Sequence, residues 1–433
     1  MANPKQDERV QLQASADLRQ GLPAYLALAL EGSPEVEAAF ARWEASVFRI
    51  SMARRLPEPT VSFGVFVRAV ETRVGPQQAR ISLKQAFPWP SKLTAGSDAA
   101  SARARVAQRQ FEAQSLVVAR RVADAYWVLW QIRRTREIHA QHLEVVRGLS
   151  QTVLARVSTG AATLADQQQV DLTAARIEDS IHGMDEREQA AEARLLAAVG
   201  LTDKRPLPTP EKLGHPAVPR ETEAELASYV ERHPGIVAFD AKARASESHA
   251  RAEKAERLPS FTLGVDWIVT GTSGTPDVPD SGKDAVIVGA GIRLPLWQRN
   301  YADSVKAAKA DARVARAEKR SATDNGLAEL AAASADVRDA VRRVDLYSKT
   351  LLPQAESAYD SVLGAYTAGQ GSVAQTLLLQ RDLLELRIEL QRAHADYARA
   401  WAWLEKVTGR ELHRAHVEPG PTIDSVPNHP EKP

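Results

Sequence analysis

The sequence predicts a mainly α-helical, internally duplicated chain with a small β part, in which long coiled-coil helices join two β-hairpins whose four strands belong to an oligomeric transmembrane β-barrel. Three observations predict this class. The stretch from Leu93 to Val157, about 65 residues, contains no proline. The landmarks of the first half of the chain recur roughly 200 residues later. Each half also holds two segments with strict apolar–polar alternation over about ten residues, the length of a tilted strand across a bilayer.

The long stretch is rich in Ala, Arg, Gln, Glu, Val and Leu, with only Gly96 and Gly148 interrupting it, so its local propensity is helical. A continuous helix of that length would run roughly 100 Å at ~1.5 Å per residue. It is not a membrane-spanning helix: Arg103, Arg105, Arg109, Arg120, Arg121, Arg133 and Arg134 leave no ~20-residue apolar window. Val118, Val122, Ala125, Leu129 and Ile132 step by 4, 3, 4 and 3, which is the a/d seam of a coiled coil. Leu143, Val146, Val153 and Val157 resume that seam, so the helix needs partners.

In chain order, a polar segment covers 1–21, and a short helix from Leu22 to Glu31 breaks at Ser33-Pro34, where Ser suits an N-cap and Pro the first helical position. The next helix stops at Leu56-Pro57-Glu58-Pro59, because a residue before proline tends to leave the helical region. Val61, Phe63, Val65, Val67 and Ala69 then alternate with Ser62, Gly64 and Arg68. After an expected Gly75-Pro76 turn, Ala79, Ile81 and Leu83 alternate with Arg80, Ser82 and Lys84, giving a hairpin closed by Pro88-Trp89-Pro90. The long helix follows, ends near Ser158-Thr159-Gly160, and a return helix runs from Thr163 to Val199 and stops at Gly200.

The same order begins again after about residue 216. A helix breaks at His233-Pro234, another ends at Leu258-Pro259, and Phe261, Leu263, Val265, Trp267 and Val269 alternate with Thr262, Gly264, Asp266 and Thr270. A loop over 271–282 leads to a returning strand over 284–296, and Trp297 closes this hairpin as Trp89 closes the first. A second long helix, expected to kink at Pro353, runs from Tyr301 to about Tyr366; a final helix spans 372–408 and stops at Gly409. The expected divisions are therefore a first repeat over 22–215, a second over 216–412 and a disordered Pro-rich tail over 413–433. Matching landmarks are offset by 200 (Pro34, Pro234), 208 (Trp89, Trp297) and 209 (Gly160, Gly369; Gly200, Gly409). Most of the drift falls in the hairpin, where loops tolerate insertion, and one residue falls along the long helix.

Composition excludes several classes. Lys+Arg 56 against Asp+Glu 55 leaves +1, which argues against a nucleic-acid binder acting by counterion release. With Cys 0 there is no disulfide, thiol catalysis or Cys-based zinc site. No phosphate loop, H-E-x-x-H motif or nucleophile setting points to an enzyme or to a cofactor. His139 with His142, and His413 with His416, lie at i, i+3; without neighbouring ligands of suitable spacing they read as surface histidines rather than a metal site. Trp89, Trp267 and Trp297 suit an interfacial aromatic girdle, whereas Trp401 and Trp403 suit packing among helices. Met1 to Gln20 lacks the apolar core of a signal peptide, so such a segment is expected to have been removed or the start to lie elsewhere, unless the protein is cytosolic.

Two hairpins cannot stand alone in lipid, because open edges leave backbone N–H and C=O groups unpaired at several kcal/mol each. The sheet must close by adding copies, and four strands per chain allow about 8, 12 or 16 in all. A soluble coiled-coil scaffold is the rival reading, and the alternating strands weigh against it.

The chain resembles the TolC-type outer-membrane efflux proteins over both repeats, roughly 22–412. The resemblance is carried by the doubled element order, by the restarts Ser33-Pro34-Glu35-Val36 and His233-Pro234-Gly235-Ile236, and by two stretches most like the family's heavy-metal-efflux branch, Ala53 to Gly64 and Phe87 to Leu93. It implies a homotrimer in the outer membrane of a Gram-negative bacterium, with a 12-stranded barrel in outer-membrane lipid and a helical tunnel in the periplasm. The partners implied are a periplasmic adaptor and an inner-membrane pump of the RND type, the cargo heavy-metal cations, and the alternative the outer-membrane component of a type I secretion system. In this family the helix turns at the periplasmic tip meet the adaptor, here Thr159-Gly160 and Ala368-Gly369. Gly160 and Gly369 would equally serve as helix C-caps. Asp166 matches the family's gate carboxylate and Tyr366 its gate tyrosine. Asp166 would equally suit the first turn of a helix through the dipole, and Tyr366 continues an apolar stripe from Val337 through Val344 and Val362. A basic gate residue is replaced by Gly371, and the constriction's carboxylate pair by Gln375 and Leu378.

Overall fold

The structure, a computed structural model, describes residues 17–201, 203, 205–210 and 213–415. The polar segment expected over 1–21 lies outside the described residues up to 16, and the expected tail, with His416, lies outside them from 416 onward. After a 3-10 turn at Leu18–Gln20 the order is α1 (Leu22–Gly32), α2 (Pro34–Ala53), β1 (Thr60–Thr72), β2 (Gly75–Pro88), α3 (Pro90–Ser158) and α4 (Leu164–Val199). It repeats as α5 (Glu223–Glu231), α6 (Pro234–Ala255), β3 (Ser260–Thr270), β4 (Ala285–Arg293), α7 (Gln298–Leu346), a π turn (Tyr347–Leu351), α8 (Leu352–Thr367) and α9 (Val373–Thr408). The mainly helical, duplicated class with two hairpins is thus present, and α3 is one unbroken helix of 69 residues. Among the described residues no helix is long and apolar enough to cross a membrane.

The chain forms two compact units. One comprises 39–111 and 235–322 and contains all four strands. They make a single antiparallel sheet in the order β1-β2-β3-β4, so the two hairpins pair with each other through β2 and β3. The first hairpin turns at Arg73-Val74 rather than at Gly75-Pro76. Gly75 already pairs with Thr72, whose hydroxyl donates to the Gly75 carbonyl at 2.7 Å. Beneath the sheet, the helices of this unit bury Ala99, Ala102 and Ala104 of α3 and Ala308, Ala312 and Ala315 of α7; small side chains allow close helix approach. Phe40 and Trp43 of α2 meet Phe111 of α3 with ring centroids 5.7 and 5.8 Å away.

The other unit comprises the described parts of 1–38, 112–234 and 323–433. Its largest fully buried side chains include Tyr25, Tyr126, Leu129 and Trp130. The expected seam holds at Val118, Val122 and Leu129, but Tyr126 and Trp130 are buried where Ala125 and Ile132 are only half-buried. A straight helix drifts ~20° per heptad from a 3.5 repeat, and the larger aromatic faces fill the groove. The Pro-rich linker after α4 is fastened to this surface: Tyr25 donates to the Pro208 carbonyl at 3.1 Å and Trp130 to that of Pro210 at 2.8 Å. Arg133 joins in, donating to Glu188 at 2.7 Å, to Glu192 at 2.6 Å and to the Leu207 carbonyl.

The kink expected at Pro353 is a π turn just before it. Leu352 N–H bonds to Tyr347 O, one residue further back than in an α-helix, and Pro353 then falls at the second residue of α8.

Candidate functional site

The residues singled out in the sequence come together where α3 turns into α4 and α8 into α9. Both turns end their first helix in the same way. Gly160 N–H bonds to Val157 O at 3.0 Å and Ala161 N–H to Arg156 O at 2.8 Å; Gly369 N–H bonds to Tyr366 O at 3.0 Å and Gln370 N–H to Ala365 O at 2.8 Å. Each is a Schellman motif, which satisfies two helix-end carbonyls and needs a left-handed residue, supplied by Gly160 (φ 76°) and Gly369 (φ 86°). The C-cap reading of these glycines is therefore part of the geometry. Thr159 and Ala368 precede them and are exposed, the Thr159 hydroxyl donating to Arg156 O at 3.0 Å.

The restarts differ. Thr163 caps α4 in a reciprocal box: Asp166 N–H donates to Thr163 Oγ1 at 3.2 Å, and the Asp166 carboxylate accepts from Thr163 N–H at 2.9 Å and from its hydroxyl at 2.8 Å. Those two bonds hold the Asp166 carboxyl below its ordinary value. In the second repeat, 209 positions on, Ser372 caps α9 by accepting from Gln375 N–H at 3.2 Å, and the carboxylate is absent.

Tyr366 lies in the hydrophobic cluster at this end, with Leu143, Val146, Leu149, Val153, Val170, Ile177, Val373 and Leu377. It is 3 % exposed, and its hydroxyl is buried without a hydrogen-bond partner among the described residues. Burial pushes the hydroxyl above its ordinary value, Arg156 opposes, and Asp166 adds to the rise. Tyr366 thus feels the charge of Asp166, while the Asp166 carboxylate is hydrogen-bonded to Thr163. Gly371, at φ 147°, packs against the Tyr366 backbone, and a Cβ there would lie 3.4 Å from its nitrogen. Gln375 and Leu378 are exposed on the first turns of α9.

Arg156 was not singled out in the sequence. Its guanidinium sits 4.7 Å above the Tyr366 ring and donates to the Tyr366 carbonyl, so it ties the first tip to the second. Its counterpart in the other repeat is Ala365, and Tyr366's counterpart is Val157; that paired departure from the duplication is the signal that could have found it. Gln167 was missed as well: nearly buried, it donates to Ser150 Oγ at 2.7 Å and to Asp171 at 2.9 Å across α3 and α4.

The histidine reading needs correction. His142 is buried, not on the surface, with its Nδ1 2.8 Å from Gln380 Nε2, and burial pushes its pKa down to about 4. The seam is broad enough at this level to enclose an i, i+3 polar position. His413 is exposed and pairs with Glu221 at 3.0 Å. No cluster suited to a metal ion occurs among the described residues. Trp401 is buried as expected, and Trp89, Trp267 and Trp297 are exposed.

The site is a pair of capped helical turns clasped by one arginine, on a chain that carries an open sheet with one apolar face. The chain matches the outer membrane efflux protein family over residues 25–201 and 226–410, one segment in each half, and it belongs to that family. It is 24% identical over 298 residues to the outer membrane efflux protein BepC of Brucella suis biovar 1 (strain 1330), a match covering 66% of this chain and 62% of that protein, less than two thirds of its length. The fold is that of VceC from Vibrio cholerae (20% identity, TM-score 0.70, 90% of this chain and 96% of that one). It is equally that of CusC (14% identity, TM-score 0.74, 90% and 92%).

Proposed function

We propose that this protein is the passive outer-membrane exit duct of a tripartite efflux system, working as a homotrimer with a periplasmic adaptor and an inner-membrane pump of the RND type. The observation that carries the reading is the sheet. Strands β1 and β4 have no outer partner among the described residues. The face bearing Val61, Phe63, Val65, Leu83, Leu263, Val265, Val286 and Val288 is exposed throughout. An exposed apolar face is untenable in water but suits lipid, open edges are untenable in lipid, and closure with two further copies into a 12-stranded barrel pairs the edges while lipid covers the apolar face. The helical repeats, 22–215 and 216–412, would then wall the periplasmic tunnel. The turns at Thr159-Gly160 and Ala368-Gly369 would receive the adaptor, and Asp166 and Tyr366 would belong to the gate. Heavy-metal species are the cargo favoured by the resemblance of the Pro57 and Trp89 stretches.

The test is expression behind a secretion signal, membrane fractionation and mass measurement in detergent. A trimer in the outer membrane is expected, and a soluble monomer or dimer would overturn the reading. Cross-linking of a cysteine at Thr159 to a co-expressed adaptor tests the docking turn.

A further inference from the structure

The strand register sorts the sheet's side chains cleanly onto two faces. One carries Val61, Phe63, Val65, Ala79, Ile81, Leu83, Leu263, Val265, Trp267, Val286, Val288 and Ile292, with no charged residue. The other, at the positions paired as Gly64–Arg80, Ser82–Asp266, Lys84–Gly264 and Ser260–Arg293, carries the charges of the regular part of the sheet; Glu71, paired with Pro76, lies beyond the register shift between Val65 and Val70. If the sheet is one third of a barrel, the second face lines the lumen.

Its charges are unequal. Asp266, the one acid there, is taken up: it accepts from Arg80 Nε at 3.0 Å, pairs with Arg80 Nη2 at 2.9 Å and accepts from the Ser82 hydroxyl. Arg80 and Asp266 therefore cancel to first order. Lys84 and Arg293 form no ion pair among the described residues, and both are exposed. The positions beside Lys84 are small: a Cβ at Gly264 would come 3.1 Å from Lys84 Cγ, so the lysine stem lies across the glycine, and Gly289 and Gly291 add no bulk, while Ile268 and Ile287 are the large uncharged residues of this face. The acids of the β3–β4 loop sit beyond the strand ends and are partly engaged, Asp280 with Lys283 at 3.6 Å and Asp284 with Trp267 Nε1 at 2.9 Å.

We propose that the barrel section of this channel is a positively charged lumen, set by Lys84 and Arg293, which favours anionic solutes over cations. Three copies of the face multiply this excess around a low-dielectric wall, where like charges focus a field. The inference rests on the barrel reading given above and narrows its cargo: a metal would cross this section as an anionic or neutral complex more readily than as a bare cation.

The test is the reversal potential of purified full-length trimer in planar bilayers under a KCl gradient. Replacing both Lys84→Gln and Arg293→Gln is expected to lower the chloride-to-potassium permeability ratio at least about twofold. Thr262→Lys, which adds a charge on the same face, is expected to raise it, so the outcome does not hang on one variant folding. Ratios unchanged in channels of normal conductance would overturn the proposal. A wild-type protein that forms no channel would overturn the barrel reading instead, and the same recordings separate the two.

Discussion

Arg156 of the first helical turn lies 4.7 Å over the ring of Tyr366 in the second, and donates to that residue's carbonyl oxygen. A cation over an aromatic face contributes about 0.5 to 1 kcal/mol at a half-exposed site, and the charged hydrogen bond adds to it. Separating the two turns must break both contacts. Arg156→Ala is therefore expected to raise the conductance of the closed channel in planar bilayers. Arg156→Lys should recover only part of the wild-type value, because an ammonium keeps the charge but neither stacks nor forks. Tyr366→Phe should leave conductance unchanged, since the residue is held through its ring and carbonyl and its hydroxyl is unpartnered.

Asp166 closes the capping box of α4 and, as a nearby negative charge, disfavours ionisation of Tyr366. Asp166→Ala should cost about 1 kcal/mol in cap strength. If the carboxylate also clamps the closed state, conductance rises; an unchanged conductance would leave it a helix cap only.

The tip glycines separate backbone strain from docking. Nothing lies within 4 Å of a Cβ added at Gly160, so Gly160→Ala meets only the left-handed conformation and should cost about 1 kcal/mol. Gly160→Asn, which tolerates that conformation, should largely restore stability. If an adaptor approaches this backbone closely, both variants weaken adaptor cross-linking, whatever their thermal stability.

His142 gives the helical unit a pH dependence of definite sign. Burial holds its pKa near 4, against an ordinary value of 6.5. Between those values the unfolded chain takes up a proton that the folded chain refuses, so stability falls as pH drops through that window and is fully present above it. From pH 7 to pH 5 the loss is about 2 kcal/mol per protomer. His139 and Arg387, the charged or titratable groups acting on it, oppose protonation too. Denaturant unfolding at the two pH values should show this slope in the wild type and a smaller one in His142→Gln.

Much of this was written in the sequence, and the reason is periodicity. The strand alternation and the duplication fixed the helices and hairpins to within a few residues, because period 2 and period 3.6 cannot be confused over such lengths. Long-range pairing was less visible. That β2 pairs with β3 is a contact between halves, and alternation gives each strand's faces without naming its neighbour. The burial of His142 and the Arg156–Tyr366 contact depend on which helices meet at one level, which no local pattern encodes. The turn glycines were legible because a left-handed helix end leaves few choices of residue.

The π turn at Tyr347–Leu351 reconciles the lengths of the two halves. Matching landmarks of the two halves are 208 residues apart at the start of the long helices and 209 apart at their tips, so the second stretch is one residue longer than the first. In an ordinary α-helix, one added residue would rotate everything beyond it by about 100° and turn Tyr366 away from its cluster. The π turn, with Leu352 N–H bonded to Tyr347 O, takes up that residue as a local bulge. The extra residue is held within one turn, and the two tips meet in phase.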